Sequence, residues 1–167
     1  MRKVLFVLFL IPYLLGCSAN QEERAIEVQS FSVSVYTKYS EAHDEKPATV
    51  ANPENEKCYV FLFDDAGKAV DKKSSFHSVY RTGKIAYADG SSSSYKYRSN
   101  SEGSVHALDN IPNGRYILFV AYVAYGHPAG CAHKEITINR DYNLKHEKKV
   151  FLYKNKEYGY QAWDEHW

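Results

Sequence analysis

The chain has 167 residues, with 21 Lys and Arg against 20 Asp and Glu and a formal net charge of +1. That length suits one domain with a sizeable core, and the charge balance excludes a nucleic-acid binder, which needs a basic face for phosphates. Fifteen tyrosines bring the aromatic share to 15%, a composition that favours strands and wet recognition surfaces, because the tyrosine ring is apolar while its hydroxyl tolerates water.

In chain order, Arg2 and Lys3 precede an apolar run from Val4 to Leu15. The run has signal-peptide length and is too short to cross roughly 30 Å of hydrocarbon as a helix. Leu14-Leu15-Gly16-Cys17 then resembles the lipobox of bacterial lipoproteins. The resemblance implies cleavage before Cys17, a diacylglycerol on its thiol and a palmitate-type acyl chain on the new amino group. Each buried methylene contributes ~0.8 kcal/mol, so two or more chains hold a protein on a bilayer. Residues 1–16 are thus expected to be a signal peptide and 17–27 a flexible tether. Ser18 stands where an aspartate would resemble an inner-membrane retention signal, which implies the outer membrane of a Gram-negative envelope. Glu22-Glu23 is similar to acidic export signals, and a periplasmic and a surface-facing location both stay open. The alternative is a secreted protein with an unrelated cysteine near its start.

Residues 28–154 read as one β domain. In "FSVSVY" (31–36) Phe31, Val33 and Val35 alternate with Ser32 and Ser34, the pattern of a half-buried strand. Residues 40–57, with two prolines and many charges, read as a long surface loop. "CYVFLF" (58–63) is apolar at both parities and ends in "DDAGK", so a central strand followed by a turn is expected. Short strands are expected at 76–80 and 84–87, a flexible tip at the serine run 90–94, and strands at 105–108 and 116–122 with a reversal at Pro112-Asn113-Gly114. Two more strands follow between 134 and 154, where Ile136 and Ile138, then Val150 and Leu152, alternate. No amphipathic helix of ten or more residues is expected. About seven turn-bounded strands without crossover helices indicate an all-β, mainly antiparallel sandwich, with a small barrel as the alternative. Residues 155–167 form an aromatic tail.

Gly103, then Pro112-x-Gly114-x-Tyr116 followed by alternating apolar residues, resembles the carboxypeptidase-regulatory-like or transthyretin-like sandwich, with Val105 and Ile111 at its aromatic and leucine positions. "CYVFLFDDAGKAV" (58–70) is similar to the opening strand and turn of fimbrial-anchor lipoproteins. The resemblance implies a lipid-attached module that works with an envelope or surface protein. Those anchors carry a second sandwich for which this chain has no room, so a reduced relative is expected.

With Cys17 lipidated, Cys58 and Cys131 remain. A disulfide between them would close a loop of about 70 residues, with a stabilisation of ~4 kcal/mol by loop entropy; two separate thiols are the alternative. "HPAGCAH" sets His127, Cys131 and His133 close together, but it reads as a loop that reverses at Pro128 and Gly130, and the spacing matches no common zinc pattern. Asp64, Asp65 and Asp71 lack a D-x-D-x-D-G calcium loop. No metal or cofactor is expected. No G-x-S-x-G elbow occurs either, and a non-enzymatic role follows. "YILFVAYVAY" (116–125) is greasy at both parities, so something must cover its second face: the chain's own loops and tail, or another protein. Tyr122, Tyr125, Trp163 and Trp167 are the candidate contacts for a partner or ligand. The reading is an interaction or assembly module, including fimbrial or adhesion accessory roles; a surface glycan or small-ligand binder is the alternative.

Overall fold

Alternating side chains decide the architecture. A computed structural model describes residues 26–38, 46–47, 56–99, 103, 105–143, 148–153, 159–163 and 165–166. The signal segment, Cys17, Glu22-Glu23, most of the 40–57 loop and Trp167 lie outside the described residues.

The strands are β1 (Val28–Lys38), β2 (Lys46–Pro47), β3 (Glu56–Asp64), β4 (Lys84–Ala86), β5 (Ser92–Ser94), β6 (Tyr97–Arg98), β7 (Val105–Pro112), β8 (Gly114–Ala124), β9 (His127–Ile138), β10 (Lys148–Tyr153), β11 (Gly159–Tyr160) and β12 (Glu165–His166). Two helices interrupt them, α1 (Lys72–Thr82) and α2 (Arg140–Asn143). One sheet runs β12-β10-β1-β2, with β7 also on β1; the other runs β11-β9-β8-β3-β6. The protein is an all-β sandwich of mainly antiparallel sheets, as the strand pattern led one to expect. The β1–β10 and β9–β11 pairings are parallel.

The inner core lies between the sheets. Phe31, Val33 and Val35 of β1, with Leu108 and Ile111 of β7, meet Cys58, Val60 and Leu62 of β3 and Tyr116, Leu118, Val120 and Tyr122 of β8. Period two then dictates that the intervening residues of β3 and β8 point the other way. There Phe61, Phe63, Ile117, Phe119 and Ala121 pack against Val79 of α1 and Ile85 and Tyr87 of the β4 segment. The second apolar face of β8 is therefore covered by the chain itself.

The cover is where the sequence reading fails. Residues 76–80 are helix, not strand, and the serine run includes β5, which pairs with β4 through Ile85↔Ser93. The helix is set by its ends. Asp71 caps it, its carboxylate accepting from the Ser74 amide at 3.1 Å and the Ser74 hydroxyl at 2.6 Å, which satisfies an amide that lacks a helical partner. Gly83 ends it in the left-handed region at φ 67°, its N–H donating to Val79 O.

Two further expectations are corrected. Pro112-Asn113-Gly114 does not close a hairpin: β7 belongs to one sheet and β8 to the other, so Asn113 carries the chain between layers. There its amide donates to Glu27 O at 3.0 Å. "HPAGCAH" is strand rather than loop, because the reversal is the two-residue turn Tyr125-Gly126, both at positive φ (51° and 76°). Pro128 falls where the β8–β9 register shifts, at a bulge where the missing N–H is tolerated.

The sandwich is tied at both edges. Ser99, whose N–H donates to Val60 O on β3, bonds His106 of β7. Opposite, the tail pairs β11 with β9 and β12 with β10, so it spans the two sheets.

Candidate functional site

The C-terminal end of α1 and the outer face of β3 make a cleft. Tyr59 and Phe61 form its floor, because alternation turns them away from the inner core. Tyr80, Arg81, Thr82 and Gly83 at the end of α1 form one wall, and Tyr95 and Arg98 the other; the volume is about 530 Å³. That is within the range of small-ligand sites. Tyr95 N–H donates to Gly83 O at 3.0 Å and Lys96 N–H to Leu62 O at 2.7 Å, which fixes the second wall against the helix stop and β3. Gly83 is required twice: for its positive φ, and because a Cβ there would stand 2.7 Å from Cε1 of Tyr95.

The cleft combines rings and positive charge. The Arg98 guanidinium lies over the Tyr59 ring, 4.8 Å from its centroid, and 5.6 Å from that of Phe61, attracted by the negative ring face. Lys96, next to Tyr95 on the second wall, is paired to Asp64 at 3.4 Å, and on the far side of the hairpin Lys68 is paired to Asp89 at 2.8 Å. Among the described residues Arg81 and Arg98 have no carboxylate partner. On the floor Tyr59 and Phe61 are near-parallel at 28°, but each is tilted to the wall ring it meets, Tyr59 to Tyr80 by 47° and Phe61 to Tyr95 by 48°. Arg98 also borders a second cleft of about 510 Å³ with Lys96, Leu108 and Asp109.

The residues expected to make contacts are scattered. Tyr122 is 5% exposed and sits in the inner core, which removes it as a surface contact. Tyr125 is 69% exposed at the tip of the β8–β9 turn, a rare φ for a bulky side chain. The Tyr80 hydroxyl donates to Gly126 O at 3.3 Å, which brings that tip to the end of the cleft. Trp163 is half-buried against the inner core and its indole N–H donates to Glu165 at 2.6 Å, so it fastens the tail. Trp167 and Cys17 lie outside the described residues.

No disulfide joins Cys58 and Cys131. Both are buried thiols. Cys58 faces the inner core and Cys131 the outer layer, and β8 runs between their strands, so the thiols point to opposite faces of one sheet, beyond the reach of an S–S bond. Burial pushes the Cys131 thiol far above its ordinary range, which makes it a poor nucleophile.

His133 Nδ1 is held by the Tyr160 hydroxyl, and burial, helped by the charge of Lys72, lowers its pKa. Among the described residues no three His, Cys, Asp or Glu side chains come together as a metal site. Asp65 instead holds Arg115 at 2.6 Å and accepts from the Gly67 amide at 2.8 Å.

The cleft was missed in the sequence because its walls come from three separated segments. The signals were present in pieces: Tyr59 and Phe61 at the odd positions of β3, and the Asp71-x-x-Ser74 start and Gly83 stop of a helix that would bring Tyr80 and Arg81 over them. No family model, curated protein or solved structure matches this chain.

Proposed function

We propose that the protein is a lipid-anchored cell-envelope module of an outer membrane that acts by recognition rather than chemistry, as an interaction or assembly component of the fimbrial or adhesion-accessory kind. The observation that carries this reading is the run Leu14-Leu15-Gly16-Cys17 after a short apolar segment, placed just ahead of a sandwich whose first strand begins at Val28. A body attached by its N-terminus leaves the β8–β9 tip and the α1 face free to meet a partner. The transthyretin-like resemblance at Gly103 and Pro112-x-Gly114-x-Tyr116 adds support for a module of that lineage.

In cells, Cys17→Ser is expected to move the protein from the membrane to the soluble fraction, and crosslinking of intact membranes to recover a discrete envelope protein with the wild type. Retention of the mutant on membranes would overturn the anchor; crosslinking that yields no protein partner would overturn the assembly role.

The second reading, a surface glycan or small-ligand binder, is favoured by one observation: the cleft of about 530 Å³ floored by Tyr59 and Phe61 and rimmed by Arg81 and Arg98.

A further inference from the structure

We propose that the cleft between α1 and the β6 segment binds a carboxylate-bearing saccharide chain, with Arg98 as the anion-binding residue and the tyrosine rings as the platform for the sugar faces. This rests on the second reading above and is independent of the anchor at Cys17.

Charge decides the class of ligand first. Lys68 and Lys96 are matched to Asp89 and Asp64, whereas the two arginines on the cleft are left without a carboxylate among the described residues. An unmatched guanidinium offers a planar fork suited to a carboxylate, and such charge-assisted pairs are among the stronger hydrogen bonds. The stacking of Arg98 on Tyr59 and Phe61 limits its rotamers, so less entropy is lost when an anion binds.

Ring geometry decides the shape. A flat aromatic ligand would need two parallel faces to slot between; across the cleft the walls are tilted by 47° and 48° to the floor, and the near-parallel Tyr59 and Phe61 lie side by side on one strand, with their faces next to Arg98. A puckered ring with C–H bonds on its faces suits tilted walls instead, because those hydrogens meet the ring faces of Tyr80 and Tyr95, while that of Tyr59 holds Arg98. The rim is also rich in hydroxyls. Among the described residues those of Tyr59 and Tyr95 have no hydrogen-bond partner, so they can serve a polyhydroxylated ligand. A nucleic-acid polymer is disfavoured by the formal net charge of +1.

The test is calorimetric titration of the full chain, solubilised in mild detergent, with oligogalacturonate, its fully methyl-esterified counterpart and a polyglutamate peptide. Oligogalacturonate is expected to bind, and binding to fall by roughly tenfold or more on methyl esterification and in Arg98→Gln, the loss of one charge-assisted pair. Arg98→Lys should recover only part of the loss, since it keeps the charge without the fork, and Tyr95→Ala should weaken binding while thermal unfolding stays near that of the wild type. Equal binding of the esterified oligomer would overturn the acidic preference and leave a glycan binder standing. Polyglutamate binding with the same dependence on Arg98 would overturn the saccharide. Absence of binding to all three probes would overturn this proposal, whereas the broader ligand-binder reading falls only if neutral glycans fail to bind as well.

Discussion

The two faces of the β3-β8-β9 sheet are built from the same strands and solved differently. On the inner face, Leu62, Leu118 and Val120 meet another sheet whose residues alternate in the same way. On the outer face, Phe61, Phe63 and Phe119 meet a helix with only Ser75 and Val79 buried, and a short hairpin. Aromatic side chains make up the difference. Phe119 contacts Phe63 and Tyr160 edge-on, with centroids 6.2 and 5.8 Å away, each such pair contributing ~0.5–1.5 kcal/mol beyond its burial. An apolar strand face thus indicates that a cover exists without revealing how greasy the cover itself must be.

Neighbouring truncations on β8 measure the two faces directly. Leu118 and Phe119 are adjacent and essentially fully buried, but belong to opposite cores. Leu118→Ala is expected to cost about 2–5 kcal/mol and Phe119→Ala about 3–5 kcal/mol in urea unfolding. Both should appear in one cooperative transition if the outer layer is true core. A Phe119→Ala protein with an unchanged midpoint, and faster hydrogen exchange confined to α1 and β4, would show that the layer opens on its own.

How much of this was legible follows from the same contrast. The alternation of Phe31, Val33 and Val35 placed β1, and the two-faced grease of 58–63 and 116–122 placed the central strands, because both patterns follow from the period of the strand itself, whatever element covers each face. α1 was not legible by periodicity, since "KKSSFHSVYRT" is mostly polar and Ser75 faces inward through its hydroxyl, which donates to Ala86 O at 3.0 Å. The turn at Tyr125-Gly126 was hidden by a bulky residue where Asn is usual, and Pro128 and Gly130 took its place in the reading. The candidate cleft depends on α1 and so went with it.

Each face also buries a histidine, and pH separates them. His106 lies wholly buried on the side of β7 that carries Leu108 and Ile111. Its Nδ1 is 2.5 Å from the Ser99 hydroxyl. Burial lowers its pKa to about 4, with the Gly103 backbone opposing. In the unfolded chain a histidine titrates near about 6.5. Between those values the unfolded state takes up a proton that the folded state refuses. Stability should therefore be full above about pH 6.5 and fall by ~3 kcal/mol as pH drops toward 4. Urea midpoints measured across that window test this, and His106→Gln should flatten the slope. The outer-layer His133 is shifted in the same direction, by burial first, so His133→Gln should remove a smaller part. A wild-type stability that is level from pH 7 to 4.5 would contradict the neutral inner histidine.

The thiols give the smallest effect, and its smallness is informative. Cys58 belongs to the inner core and Cys131 to the outer layer, so the sheet itself keeps them apart and nothing in the native fold can draw them together. Reductant should leave the melting temperature of the Cys17→Ser protein unchanged, and its intact mass should not rise by two hydrogens. Labelling with a thiol reagent should be negligible in the native state and reach both cysteines in urea, because burial keeps the Cys131 thiol protonated. Deleting the tail from residue 159 onward removes β11 and the bond from the Gln161 amide to Cys131 O, 2.8 Å in the intact chain. Labelling of Cys131 should then accelerate more than that of Cys58, because Cys131 loses the strand paired directly to it, while the inner core loses only the half-buried Trp163. Equal acceleration at both sites would mean that the tail holds the two sheets together as well as covering one of them.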